Sequence, residues 1–327
     1  NSGAYAYGLG YDVVSYGRSA TIQGSLIQAR SLAWGGTAPG KQPEAEAYAY
    51  GLSLCTGGTL TSRGSLEIVS KSWGGTATLS STYNDKTAKG SAFAYGINLD
   101  AQNNQLTHTG ALNVVAEARG GTATVVTDLR ATAIANGWAY GIRAEGKNAL
   151  IQSTGTVTVD ARAYGGTASC KASNTSPGVG ADADARAIWA NQEGKVNIDG
   201  DAVVLVQAVS GTAEAKEQGK TAAAKTDATG RGLAAFGGEI KVTGTTAVNL
   251  LAQGGTAASA GSGASARTNA YGVYASGSKG KIELQGAAVI HVQALGGTAS
   301  GKDGSNTNNA TVMAFGLSAY NGGKIEL

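Results

Sequence analysis

The chain has 327 residues, 51 of them Gly and only 3 Pro, with 25 basic against 22 acidic side chains. Glycine without a three-residue period excludes a collagen-like coil, and sparse, balanced charge offers no basic run to track a phosphate backbone. The longest apolar stretches, such as Ala202 to Val206, are far too short to span a bilayer as a helix, so neither nucleic acid nor a transmembrane segment is expected.

The tetrapeptide Gly-Gly-Thr-Ala recurs seven times, beginning at Gly35, Gly74, Gly120, Gly165, Ser210 (with Ser for the first Gly), Gly254 and Gly296. The spacings are 39, 46, 45, 45, 44 and 42 residues. A period of this size means one supersecondary unit stacked on copies of itself. Residues 1–327 therefore read as a single repeat domain, a fragment of or a unit in a longer array.

The copy from Ala139 to Ala168 shows the unit in chain order. An opening strand carries Tyr140 and Ile142, which at i, i+2 are expected on one face. A turn follows at Glu145-Gly146. A second strand places Ala149 and Ile151 on one side and ends at Gly155. In the third strand Val157, Val159, Ala161 and Ala163 alternate with Thr158, Asp160, Arg162 and Tyr164, the pattern of a half-buried strand. Three strands and two short turns predict one triangular coil of a parallel β-helix. The rest of each period is Ala-rich at alternate positions, as in Thr122 to Val125 and Arg130 to Ala135. It reads as a two-stranded excursion pressed together through alanine. The fold expected is thus an all-β solenoid of about seven coils, roughly 34 Å tall at about 4.8 Å per coil.

Glycines at Gly35, Gly74, Gly120, Gly165, Gly211, Gly254 and Gly296 are expected to turn the chain at the corner where each coil leaves for its excursion. The residue before each pair reads Trp34, Trp73, Arg119, Tyr164, Val209, Gln253 and Leu295. Alternation puts this stripe outside. It either packs beneath the excursion or offers Trp34, Trp73, Arg119 and Tyr164 as a contact surface, since aromatic and Arg side chains dominate binding hot spots. Tyr7, Tyr50, Tyr95, Tyr140, Tyr271 and Phe315 open successive coils and are expected to form a structural ladder in the core.

Catalytic signatures are lacking. His108 and His291 lie about four periods apart, and no H-x-x-x-H, C-x-x-C or G-x-S-x-G occurs. Asp182, Asp184 and Glu193 are the nearest approach to a carboxylate group and read as a solvated loop. Asp303 to Asn306 matches only part of a calcium loop, and Asn174 and Asn309 begin N-glycosylation tripeptides that chance supplies readily. Cys55 and Cys170 fall at different points of the period, too far apart for a disulfide. No cofactor and no metal site is expected. Ice binding would need regular T-x-T ranks, and only Thr154 to Thr158 offers anything similar.

The repeat as a whole resembles the passenger regions of bacterial autotransporters and related large surface adhesins. The likeness rests on A-Y-G-[IL], then x-[IL]-x-[IV]-x-G, then G-x-[LV]-x-V-x-A-x-A, then G-G-T-A, over essentially the full chain. It implies a right-handed parallel β-helix and export to the outside of a Gram-negative cell. It also implies a C-terminal membrane barrel, which this sequence does not include.

The function expected is a non-enzymatic extracellular structural or adhesive protein, part of a cell-surface rod or filament. Gly323 to Leu327 repeats the start of Gly280 to Gly286 and stops part-way through a coil, so either the sequence is cut from a longer array or another subunit completes the coil, and end-to-end stacking on copies of itself is the expectation the second reading motivates. A glycan or a host-surface protein is the other expected partner. The competing class is a polysaccharide-binding or polysaccharide-degrading β-helix, whose enzyme form would need acids and a Lys or Arg converging on one face.

Overall fold

A computed structural model describes residues 2–13, 19–40, 42–54, 57–80, 86–126, 131–171, 178–216, 223–260, 263–301 and 308–327. Cys55, Asn174, Asp303 to Asn306 and parts of the excursion tips lie outside the described residues, as does the side chain of Tyr7.

The chain is a parallel β-solenoid with an Ala-rich excursion on each coil. In the fourth period the opening strand is Gly137–Glu145, the second Leu150–Thr154 and the third Val157–Tyr164. The outgoing limb is Thr167–Cys170 and the return limb Gly178–Gly180. Return limbs and opening strands stack into an 11-stranded sheet, second and third strands into a 13-stranded sheet, and outgoing limbs into a 7-stranded sheet. Every strand pairing is parallel and joins a residue to its counterpart one period away, as in Val114 with Val159 and Val159 with Val204.

Among the described residues two main cores follow from this arrangement, beside a small cluster of Ala33, Ala47 and Ala49. Opening, second and third strands enclose the larger one, where Ile97, Leu99, Leu106, Leu112, Ile142 and Ile151 are buried. Each such side chain contributes about 2–3 kcal/mol through burial. The smaller core lies between the two limbs and is built from Ala77, Ala88, Ala123, Ala133, Ala168 and Ala213, with Leu79, Val125 and Cys170. Alanine at alternate positions lets two backbones approach closely, as the sequence pattern predicts.

The paired glycines mark the corner between the cores, but their reason is not a turn conformation. None of the fourteen corner positions has a left-handed φ. The second glycine faces the coil beneath: a Cβ on Gly121, Gly166 or Gly211 would fall 2.1, 2.0 or 1.9 Å from the carbonyl oxygen of the same position one coil earlier. Glycine is required for close approach between coils. The first position is less strict, and Ser210 holds it by accepting the Gly255 N–H on Oγ at 2.6 Å. Left-handed glycines occur elsewhere, at the bend between second and third strands: Gly110 (φ 125°), Gly155 (112°) and Gly200 (153°).

One polar column enters the larger core. His108 is fully buried and stacks in register between Ser62 and Ser153. Its Nε2 lies 3.2 Å from the Ala111 carbonyl, and its Nδ1 meets no partner. Burial pushes the imidazole below its ordinary value. The native state therefore resists taking up this proton. The stabilisation is complete above the unfolded value near 6.5 and is lost as pH falls through the lower folded pKa. His108→Leu is expected to move the acid-unfolding midpoint to lower pH, read by far-UV circular dichroism. An unchanged midpoint would remove His108 from the acid transition.

Candidate functional site: two outward side-chain stripes

The third strands hold the predicted contact stripe in register: Trp34, Trp73, Arg119, Tyr164, Val209, Gln253 and Leu295 are successive partners. Trp34 and Trp73 stack at 4.9 Å and 8°. The Arg119 guanidinium lies 4.7 Å from the Tyr164 ring centre. The stripe belongs to neither core, and Trp34 is 59% exposed. It therefore does not pack beneath the excursion; it faces outward beside it. Burial raises the Glu117 carboxyl, but bonds from Arg119 at 2.6 Å and Lys71 at 3.1 Å outweigh this and hold it low.

The tyrosine ladder exists but faces the other way from the sequence expectation. In Gly137–Glu145, Ala139, Gly141 and Ile142 point inward, while Trp138, Tyr140 and Arg143 point outward. Gly141 takes an inward place, where a Cβ would lie 2.2 Å from Val159 Cγ1. Two consecutive inward residues shift the alternation, so Tyr140 and Ile142 occupy opposite faces. Gly51 and Gly96 do the same against Ile68 and Val114. In addition Tyr7 pairs with Tyr48, not with Tyr50, so the first coil is offset by two residues.

On this outer face Tyr50, Tyr95 and Tyr140 stack at 4.9 and 5.2 Å with planes within 5°. Arg186 and Arg231 fill the next two places, and Tyr271 and Phe315 continue the column at 5.4 Å. Arg186 lies 5.2 Å from the Tyr140 ring and 4.5 Å from Trp189. Stacking occupies both faces of most rings, which leaves edges outward and makes the column a brace. Burial pushes the Tyr95 hydroxyl up to about 12.

Asp182 and Asp184 are not solvated, whereas Glu193 lies exposed in a turn, as the loop reading expected. Asp184 lies in the strand Ala183–Asn191 and bridges Arg186 at 2.5 Å and Arg231 at 3.4 Å. Glu193 pairs with Lys279. Asp182 is half-buried, and burial pushes its carboxyl up to about 6. A raised carboxyl pKa favours the native state at low pH, and that benefit is lost as pH rises from the unfolded value of 3.8 through 6. Asp182→Asn is expected to raise the melting temperature at pH 7 and to change it little at pH 4. Equal effects at both pH values would contradict this.

Sequence reasoning missed two surface features. Thr37, Thr76, Thr122, Thr167, Thr212, Thr256 and Thr298 form one exposed rank on the outgoing limbs. Its signal was the Thr of the repeated tetrapeptide. The rank is one residue wide: two positions on the chain reads Pro39, Thr78, Thr124, Ser169, Glu214, Ala258 and Ser300. The other is a groove of about 550 Å³ on the third strands, lined by Asp160, Arg162, Gln207, Asn249, His291 and Gln293 among others. Here His291 lies on the strand surface, as expected. Among the described residues no group of three or more His, Cys, Asp or Glu side chains converges as metal ligands, and no helix is long and apolar enough to cross a membrane.

The class these features define is an all-β parallel solenoid repeat protein with an outward aromatic and arginine surface. No family model matches the chain, and no curated protein or solved structure proved similar to it. The class therefore rests on coil geometry and side-chain registry.

Proposed function

We propose that this protein is a non-enzymatic structural and adhesive segment of an extracellular rod or filament on a Gram-negative cell. The observation that carries the reading is the outward stripe Trp34, Trp73, Arg119 and Tyr164, held in register on a continuous scaffold. Uninterrupted parallel ladders with a stacked aromatic brace favour stiffness. The stripe supplies large rigid side chains where a partner can reach them. The resemblance to autotransporter passengers and surface adhesins supplies the location.

The carboxylates that a polysaccharide-degrading reading would need are engaged elsewhere. Asp160 is bound by Arg162 and Asp184 by two arginines, which suits scaffolding better than acid–base chemistry. Coils pair through backbone ladders with adjacent coils, so coils of a second copy can continue the same ladders, and self-association end to end belongs to the proposal.

Two measurements test it. Electron images of the native material are expected to show rods with one coil per roughly 4.8 Å. Sedimentation across concentration is expected to show growth by end-on addition. Compact particles, or a strict monomer at all concentrations, would contradict the rod and the stacking respectively. For adhesion, Trp34→Ala with Trp73→Ala is expected to lower retention on cell-surface material at least tenfold, while loss of the stacked pair costs only about 0.5–1.5 kcal/mol beyond its area burial and leaves the solenoid folded; full retention would remove the stripe from the adhesive surface.

A further inference from the structure

The groove on the third-strand face extends across four coils. Asp160, Leu205, Asn249 and His291 are successive register partners, and so are Arg162, Gln207, Leu251 and Gln293. Three strand spacings make it roughly 14 Å long, parallel to the solenoid axis. We propose that it binds an extended, uncharged polysaccharide whose chain lies along that axis. This deepens the adhesive reading above and rests on it.

Charge is the first argument. Arg162 donates to Asp160 through Nε at 2.9 Å and Nη2 at 2.5 Å, so the groove's acid and guanidinium neutralise each other. A charged ligand would therefore meet no uncompensated countercharge in that pair. The remaining polar groups are the amides of Gln207, Asn249 and Gln293 and the imidazole of His291. An amide both donates and accepts, as a sugar hydroxyl does. Gln207 is already oriented: its Oε1 accepts the Tyr164 hydroxyl at 2.8 Å, which leaves its NH2 for a ligand and joins the groove to the stripe.

Apolar contact is the second argument. Leu205 is 38% exposed and lines the same groove as Leu251. Leucine side chains between rows of amides suit a ring with C–H groups on its face and hydroxyls at its rim. A peptide fits less well. The backbone groups of these strands are committed to neighbouring coils, so no strand can be added on this face. The groove is shallow, and affinity would be built from repeated units along a polymer.

The test uses the full chain with soluble β-glucan, xylan, mannan, galactan and chitooligosaccharides, and with polygalacturonate as the anionic counterpart. Calorimetry is expected to show binding of at least one neutral polymer that changes little between low and high salt. Gln207→Ala with Asn249→Ala is expected to weaken it about a hundredfold, roughly tenfold per amide. Thr124→Ala on the outgoing limb is expected to leave it unchanged. If losing the Tyr164 partner lowers the melting temperature, Asn249→Ala with Gln293→Ala carries the same test. Binding of no neutral polymer, preference for polygalacturonate, or full affinity in both double variants would overturn the proposal. Rods that persist in images while glycans fail to bind would reject this inference alone; loss of the rods would reject the proposed function.

Discussion

Gly166→Ala is expected to cost about 3 kcal/mol or more and to destroy cooperative unfolding, whereas Gly180→Ala is expected to stay within about 0.5 kcal/mol of the parent. The two substitutions add the same methyl group. At Gly166 it would meet the Gly121 oxygen at 2.0 Å and the Gly120 carbonyl carbon at 2.6 Å. These are backbone atoms of the preceding coil, with no rotamer to change. Relief would need the coils to part, which breaks ladder bonds such as Thr167 N–H to Gly121 O at 2.9 Å. At Gly180 the added methyl meets nothing within 4 Å. Thermal and urea melts of the pair would read the difference. Equal midpoints would refute close coil approach at the corner.

Asp184→Ala is expected to cost about 2–3 kcal/mol, read from the urea midpoint. Breaking a buried ion pair by removing one partner typically costs about 3–5 kcal/mol. The lower value applies because Asp184, Arg186 and Arg231 retain 17–18% exposure. Without the carboxylate, two guanidinium groups on adjacent coils face each other inside the aromatic column. Burial already depresses the Arg231 pKa, so the loss is felt most there. Arg186→Tyr with Arg231→Tyr in the Asp184→Asn background would extend the run from Tyr140 to Tyr271 and is expected to recover most of the stability. A parental midpoint for Asp184→Ala would show that the arginines need no counter-charge.

Much of the coil was legible in sequence because burial has a short period there. Val157, Val159, Ala161 and Ala163 alternate inward as read, and Ala123 and Ala168 mark the excursion core. The stripe from Trp34 to Tyr164 followed from the same alternation. The opening strand broke the rule at Gly141. A residue without a side chain can take an inward place unnoticed, and every later residue then changes face. That reversed the tyrosine ladder and hid the arginine column. Asp184 read as loop because an Ala-rich limb with charges looks solvated; its partners lie two residues away and one coil away.

The groove had no sequence signature at all. Its polar groups come from four coils, one or two residues from each, at separations of 42 to 45 residues. No local pattern connects Arg162, Gln207, Asn249 and Gln293. The repeated tetrapeptide was visible at once, yet its physical reason was not.

By itself the sequence determined the period, the three-stranded coil, the alanine excursion and the outward stripe. These depend on alternation within one strand and on a repeat that the chain states seven times. Only the tertiary structure decided why the second corner glycine is invariant, which way the tyrosines face, and where polar groups gather into a groove. Each of those depends on distances between coils, where residues some 40 or more apart in the chain lie a single strand spacing apart.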